Sequence, residues 1–151
     1  MSQRVYINGG TLAVHADRPR LVLPEGFTSR GEYHLTIFDP KDAKALRAKN
    51  GWSNTQLSDW MKAQAGTTIP GTPKVLGIGS VTQGDNQAYF DVVEWPECQA
   101  WRASLGLEPK DLHVTAGFKE SDIHGVPKDR TTLLSSSDAI RLLSWQAFEP
   151  G

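Results

Sequence analysis

The chain has 151 residues, of which 38% are hydrophobic and 22% are charged, with a formal net charge of −1. This length predicts a single domain, residues 1–151, with a sizeable core. The near-zero net charge excludes a general electrostatic attraction to nucleic acid or membranes, so a polyanion would need a local basic site. The single cysteine, Cys98, excludes an internal disulfide. Because we find no apolar signal peptide or membrane span, we expect a soluble intracellular protein, most simply a cytoplasmic one.

The N-terminal segment predicts short strands that are separated by turns. Arg4–Asn8 alternates between apolar and polar residues and stops at a glycine pair. Thr11–His15 is predicted as a short strand or extended segment. Arg20–Leu23 is predicted as a further short strand or extended segment, and Gly26–Gly31 as a loop. His15 is interpreted as a surface residue.

The rest of the chain alternates between helical and strand patterns. Asp39 and Ser53 are typical N-cap residues, and each precedes a helical run. Thr67–Pro73 is rich in Gly, Pro and Thr, and we place a boundary between two lobes there. The patterns predict helices at Lys41–Lys49, Ser53–Ala65, Glu97–Leu105 and Ser137–Gln146, and a hairpin of Lys74–Val81 with Gln87–Val93. This order of elements indicates an α+β architecture with two related halves.

One short pattern occurs twice. His34-Leu35-Thr36-Ile37 and His113-Val114-Thr115-Ala116 are both His-apolar-Thr-apolar units, and they begin 79 residues apart. In a strand, residues i and i+2 point to the same face, so each unit presents its His and Thr together and buries its two apolar residues. A single copy is typical of a strand with a half-exposed histidine. The repetition of the whole unit favours a function instead.

Two histidines and two threonines are suited to hydrolysis of a phosphodiester. Imidazole titrates near pH 6.5, so one ring can accept a proton from water while the other protonates the leaving oxygen. Threonine hydroxyls can donate to the phosphate oxygens as charge develops on them. The chief alternative use of paired histidines is metal binding. Neither unit contains an acidic residue, and the sequence has no His-x-x-x-His and no second Cys, so we expect no metal and no cofactor.

The doubled unit, His34/Thr36 and His113/Thr115, resembles the signature of the 2H phosphoesterase superfamily. The resemblance implies a bilobal α+β fold, with two pseudo-symmetric antiparallel sheets flanked by helices and a central groove between the motifs. It also implies metal-independent hydrolysis of 2′,3′-cyclic phosphates, or of related phosphodiesters, in nucleotides or RNA ends, with a 2′-phosphate as product. The segment Gly117–Val126 is similar to a branch that is associated with RNA repair and processing.

Further residues are candidates for substrate binding. The polar loop after the second motif contains Lys119, His124, Lys128 and Arg130. These residues would bind a second phosphate or an RNA backbone, or would simply be solvated. Tyr33 and Phe118 flank the motifs and are candidates to stack on a base, with core packing as the alternative. Trp52 is a further candidate to reach the groove, and we do not rank it above Phe118 as a binding residue.

Two other functions fit the same motifs. One is a nuclease that cleaves signalling cyclic or linear oligonucleotides, and the other is a nucleotide-binding module without catalysis. The expected partner is a nucleotide or RNA terminus that bears a cyclic phosphate. We expect no membrane partner and no obligatory protein partner.

Overall fold

The computed structural model describes the backbone of residues 3–147 and the side chains of residues 3–142. Within these residues the strands are β1 Gln3–Arg4, β2 Tyr6–Asn8, β3 Thr11–His15, β4 Thr28–Ser29, β5 His34–Phe38, β6 Thr68–Ile69, β7 Lys74–Gln83, β8 Asn86–Glu94 and β9 His113–Phe118. The helices are α1 Pro40–Asn50, α2 Asn54–Gln64, α3 Pro96–Ser104 and α4 Ser136–Ala147, with a 3-10 turn at Arg130–Thr132. All strand pairs are antiparallel, so the predicted α+β class is confirmed.

The first motif lies on an edge strand of a three-stranded sheet with the order β2-β3-β5. A two-residue turn joins β2 to β3, and Gly9 in that turn has a φ of 63°, a conformation that glycine adopts without strain. The residues Leu12, Val14 and Leu35 are buried beneath this sheet. In β5 half-buried and buried residues alternate from His34 to Ile37, as the sequence pattern predicted, whereas in β3 the three consecutive residues Leu12–Val14 are all buried.

Helices α1 and α2 begin at the predicted N-caps. Asp39 and Ser53 each accept a backbone hydrogen bond from the third helical residue, and the side chain of that residue returns a bond to the cap. These capping boxes satisfy backbone N–H groups that have no partner inside the helix. Helix α1 ends at Gly51 in the left-handed conformation, with a φ of 64°.

The second motif lies inside a four-stranded sheet with the order β4-β9-β8-β7. The predicted hairpin is confirmed as β7 and β8, whose two-residue turn is Gly84-Asp85. Both strands extend beyond the predicted ends, because the ladder continues through Gln83 paired with Asn86. Helix α3 is also confirmed, beginning at Pro96.

Arg20–Leu23, predicted as a short strand or an extended segment, forms no strand. Two predicted loops contain short strands. The predicted loop Gly26–Gly31 contains β4, which pairs with β9, and the predicted loop at Thr67–Pro73 contains β6, which pairs with β1. A two-residue strand has no alternation of its own, so only its partner strand identifies it. The predicted last helix is confirmed as α4, although the side chains of Leu143 and Trp145 lie outside the described residues.

The described chain divides into two compact units, each assembled from three segments. Unit 1 contains residues 3–15, 34–73 and 95–110, and unit 2 contains residues 16–33, 74–94 and 111–147. Unit 1 therefore carries the first motif and unit 2 the second. The chain crosses between the units five times, once between Pro73 and Lys74. The prediction of a single domain, with the boundary between its two lobes near residues 67–73, stays a prediction.

Candidate active site

The first motif presents its two polar side chains on one face of its sheet. In β5, His34 and Thr36 are half-buried, whereas Leu35 and Ile37 are buried on the opposite side. Strand β3 places His15 directly opposite His34 and Ala13 opposite Thr36. Directly opposed side chains lie on the same face, so His15 and His34 are neighbours on the motif face of unit 1.

The second motif repeats this arrangement in unit 2. His113 and Thr115 are half-buried on β9, and Val114 and Ala116 are buried. Strand β8 places Val92 opposite His113 and Phe90 opposite Thr115. On the motif face of unit 2, the directly opposed neighbours of His113 and Thr115 are therefore apolar.

A β-bulge follows each motif threonine. Leu12 pairs with Phe38 and Ala13 with Thr36, so Ile37 is an extra residue in β5. Tyr89 pairs with Gly117 and Phe90 with Thr115, so Ala116 is the extra residue in β9. Bulges bend a strand and re-aim the side chains beside them, and they are frequent next to active sites. The two motifs thus share a local backbone irregularity as well as a sequence.

The carbonyl group of each bulge residue accepts a hydrogen bond from outside the strand pair that contains the bulge. The Arg102 guanidinium donates from Nη1 to the Ile37 carbonyl at 2.9 Å. In unit 2, the backbone N–H of Arg30 donates to the Ala116 carbonyl at 3.2 Å. Each bulge is therefore held by a fixed donor, and the strand segment with the motif is fixed with it.

Arg102 also ties the first motif to the neighbouring helices of unit 1. The side chain is 3% exposed, and Nη1 and Nη2 of its guanidinium group donate to the two carboxylate oxygens of Asp42 at 2.8 and 3.0 Å. Nε and Nη2 donate to the Glu108 carbonyl at 3.0 and 2.8 Å. Together with the bond to Ile37, these contacts use all five guanidinium donors, as a buried arginine requires. Burial raises the pKa of nearby Asp39, but hydrogen bonds from Lys110 and Asp42 outweigh this effect and leave the pKa below its ordinary value.

The imidazole of His113 has a defined orientation. Its Nδ1 lies 3.0 Å from the Asp111 carbonyl oxygen, which can only accept, so Nδ1 carries the hydrogen. In the neutral ring the second nitrogen, Nε2, then carries the lone pair. The ring also packs edge-on to Phe90, with centroids 5.7 Å apart. In this tautomer Nε2 is the ring nitrogen that can accept a proton.

Lys128 is not a solvated loop residue. It is 4% exposed, and its Nζ lies 3.3 Å from Oδ1 of Asp122 and 5.6 Å from the centre of the Phe90 ring. Phe90 therefore contacts both Lys128 and the motif residue His113. The sequence placed Lys128 in a polar segment, and nothing local indicated that the segment folds back over Phe90.

The other predicted binding residues are spread over several environments. Lys119 and His124 are exposed, as a solvated loop predicts. Arg130 is exposed and donates to Glu94 at 2.6 Å. Tyr33 shares a hydrogen bond of 2.9 Å with Ser29, and Phe118 is held in the ladder opposite Thr28 and Ala88. The ring of Trp52 packs against Trp60 at 6.2 Å. Within each unit these candidate residues lie in different environments. The role of these residues in substrate binding stays a prediction.

Sequence reasoning missed a buried carboxyl group next to the second motif. Asp91 is 9% exposed and lies opposite Val114, on the face of β8 away from His113. Burial raises the pKa of Asp91 to about 6, and the charge of Arg20 offsets part of this effect. One signal was present in the sequence, because Asp91 is the only charged residue within the apolar run Ala88–Val93.

The described side chains, residues 3–142, contain no group of three or more His, Cys, Asp or Glu that could hold a metal ion. Among the same residues, no helix is long and apolar enough to cross a membrane.

Comparison with known proteins gives one match. The family model described as "Swiss Army Knife, 2H phosphoesterase domain" matches residues 12–124, which is well over half of the 151 residues and includes both motifs. The resemblance predicted from the doubled His-x-Thr unit is confirmed by this match. No curated protein shows significant similarity to the chain. No solved structure shows significant similarity to it either.

Proposed function

Because the chain belongs to the Swiss Army Knife family of 2H phosphoesterases, it is a phosphoesterase and hence a hydrolase, and we propose that it hydrolyses 2′,3′-cyclic phosphates of nucleotides or RNA ends. The observation that carries the proposal is the duplicated local structure. Each unit presents His and Thr on one strand face, followed by a bulge residue with an anchored carbonyl. A duplicated His–Thr pair can supply the acid, the base and two hydroxyl donors that hydrolysis of a phosphodiester needs.

In the proposed reaction, one motif histidine is neutral and removes a proton from the attacking water. The water oxygen forms a bond to phosphorus, and the bond from phosphorus to the ribose 3′-oxygen breaks. The second motif histidine is protonated and gives its proton to that 3′-oxygen, so the product is a 2′-phosphate. One proton is taken up and one is released, and the pair of histidines is restored by proton exchange with solvent.

His113 is equipped for either of these two roles. Its Nδ1–H bond to the Asp111 carbonyl persists whether the ring is neutral or protonated. Proton transfer therefore occurs at Nε2 in both cases. We propose that Thr36 and Thr115 donate hydrogen bonds to the non-bridging oxygens, whose negative charge grows as the water attacks.

Exposed residues of the second unit would contact the substrate. Lys119 and His124 are exposed in the loop after β9, and we propose that they meet a second phosphate or the backbone of an RNA end. Lys128 differs because its charge is already compensated by Asp122. We propose that Lys128 supports the Phe90–His113 contact through its own contact with the Phe90 ring.

The test is a panel of substrates with the purified protein. Nucleoside 2′,3′-cyclic phosphates, RNA with a cyclic phosphate end, 3′,5′-cyclic nucleotides and short linear and cyclic oligonucleotides are incubated with excess chelator. The released phosphomonoester is identified as 2′ or 3′ by phosphorus NMR. We expect hydrolysis of the 2′,3′-cyclic substrates to the 2′-phosphate, and loss of this activity in the variant His113→Ala.

Other outcomes of the panel would replace the proposal. Turnover of signalling oligonucleotides without turnover of 2′,3′-cyclic phosphates would establish the nuclease instead. Tight binding of a nucleotide with no turnover of any substrate would establish a binding module. Activity that the chelator abolishes and a divalent metal restores would contradict the two-histidine mechanism.

A further inference from the structure

An aromatic stack lies on the motif face of unit 1. Tyr6 and Thr36 both lie opposite Ala13 in the sheet, and His15 lies opposite His34. Directly opposed residues, and residues two apart on one strand, share a face. Tyr6, His15, His34 and Thr36 therefore project from the same side of the three-stranded sheet.

The rings of Tyr6 and His15 are nearly parallel. Their centroids are 4.2 Å apart and their planes differ by 11°. Tyr6 is half-buried, whereas His15 is exposed. Among the hydrogen bonds within residues 3–142, none engages the His15 ring, so stacking on Tyr6 is the contact that orients it. An exposed imidazole is thus held flat against a more buried tyrosine.

Such a platform next to a phosphate-binding group suits a nucleotide. Proteins hold bases of single-stranded nucleic acids on aromatic and histidine rings, and every base has a π-face that can stack. Side chains that are directly opposed on antiparallel strands have Cβ atoms only about 5 Å apart. A nucleotide whose phosphate contacts His34 therefore has its base within reach of the His15 ring.

We propose that the Tyr6–His15 stack binds the base of the nucleotide substrate, with the base stacking on the exposed imidazole. This inference rests on the proposed phosphodiesterase function. It assigns base binding to a position outside the predicted candidates Tyr33 and Phe118. Because stacking strength rises with ring area, purine substrates bind more tightly than pyrimidine substrates.

The test compares a substrate that has a base with one that lacks it. Values of kcat and KM are measured for adenosine 2′,3′-cyclic phosphate and for 1-methoxyribose 2′,3′-cyclic phosphate. The variant His15→Ala is expected to lower kcat/KM for the adenosine substrate roughly tenfold, mainly through KM, and to leave the base-free substrate unchanged. His15→Phe keeps a flat ring without the ring nitrogens and is expected to restore most of the loss.

A matched control lies on the same strand as Tyr6. Ile7 is 38% exposed and points to the opposite face of the sheet. Ile7→Ala is expected to leave both substrates unaffected, whereas Tyr6→Leu is expected to resemble His15→Ala. If His15→Ala lowers kcat/KM equally for both substrates, or if His15→Phe restores nothing, the stack does not bind a base.

A binding measurement separates this inference from the proposed function. Calorimetric titration with adenosine 2′-monophosphate gives an affinity that requires no turnover. If affinity falls in His15→Ala while no cyclic phosphate is hydrolysed by the unaltered protein, the stack binds a base and the proposed reaction is wrong. If the cyclic phosphate is hydrolysed but affinity and kcat/KM are unchanged in His15→Ala, the reaction stands and the stack proposal is wrong. If there is neither binding nor hydrolysis, both are wrong.

Discussion

Arg102 donates a 2.9 Å hydrogen bond to the backbone carbonyl of Ile37, the bulge residue directly after the first motif threonine. A side chain from helix α3 thereby fixes the backbone of β5 at the point where the motif ends. The same guanidinium binds Asp42 at the start of α1. The geometry of the motif strand in unit 1 thus depends on one buried ionic contact between two helices.

Loss of Arg102 should destabilise the protein strongly. In Arg102→Met, the Asp42 carboxylate loses its two guanidinium donors, and the carbonyls of Ile37 and Glu108 lose the guanidinium donors that they bind. We expect the free energy of unfolding to fall by about 3–5 kcal/mol, measured by urea denaturation. The double variant Asp42→Asn/Arg102→Met should recover part of this loss, because it leaves no uncompensated charge.

A control for the Arg102 experiment is the exposed pair of Arg141 with Asp138. Arg141 is 78% exposed and lies 2.8 Å from Asp138. Arg141→Met should cost about 0–1 kcal/mol, because solvent screens the pair. Equal effects of the two substitutions would show that burial of Arg102 contributes nothing.

The motif histidines should be required for turnover but not for folding. We expect His34→Ala and His113→Ala each to lower kcat by about 10²–10⁴-fold, because each removes one proton-transfer group. Initial rates on a 2′,3′-cyclic nucleotide give the activity, and thermal unfolding shows whether the fold is kept. Near-normal rates in both variants with an unchanged melting temperature would remove these residues from the mechanism.

The motif threonines should contribute through their hydroxyl groups. Thr36→Val and Thr115→Val keep the shape and the strand preference but lose the donor, so kcat should fall by about 10²-fold. Thr36→Ser and Thr115→Ser keep the hydroxyl and should retain more activity. Thr82→Val, an exposed strand position in β7 away from the motifs, serves as the control. If the Val and Ser variants behave alike, the hydroxyl groups do not stabilise the transition state.

Asp91 should make stability depend on pH in the direction opposite to most carboxylates. Its pKa of about 6 in the folded protein exceeds the ordinary value of about 3.9, so the folded state binds the proton more tightly. The contribution of Asp91 therefore favours folding below about pH 4 and is lost as the pH rises through about 6. Asp91→Asn should raise the free energy of unfolding by up to about 3 kcal/mol near pH 8, with no gain near pH 4.

The measurement for Asp91 is the difference between variant and unaltered protein in urea midpoint across this pH range. Taking the difference cancels the titration of the other carboxyl groups. A difference that does not change with pH would show that Asp91 has an ordinary pKa in the folded state.

The two lysines of the loop after β9 should behave differently. Lys119→Met removes an exposed charge, so KM should rise several-fold at low salt and the effect should shrink at high salt. Lys128→Met leaves Asp122 without its 3.3 Å partner in a buried site, so we expect a loss of stability of about 3 kcal/mol. Asp122→Asn/Lys128→Met should restore part of that stability. If Lys128→Met changes KM alone and leaves stability intact, Lys128 binds substrate directly.

Local chemistry explains what the sequence by itself determined. Helix caps such as Asp39 and Ser53 act within a few residues, so the starts of the helices could be predicted from the sequence. The period-two pattern around His34 and His113 is equally local, so the shared face of each His–Thr pair could be predicted as well. The doubling of the motif was readable for the same reason, and it was sufficient to indicate the family. The acidic residue in the apolar run of β8 was visible as well, but its importance was not.

Tertiary structure decided whatever depends on partners distant in the chain. The bulges at Ile37 and Ala116 are defined by register against β3 and β8, which no single segment contains. Strands β4 and β6 exist only through their partners. The fold also creates three local environments: the burial of Lys128 over Phe90, the raised pKa of Asp91, and the stack of His15 on Tyr6. Desolvation and ring contacts depend on three-dimensional neighbours and not on sequence spacing, so the sequence could not indicate them.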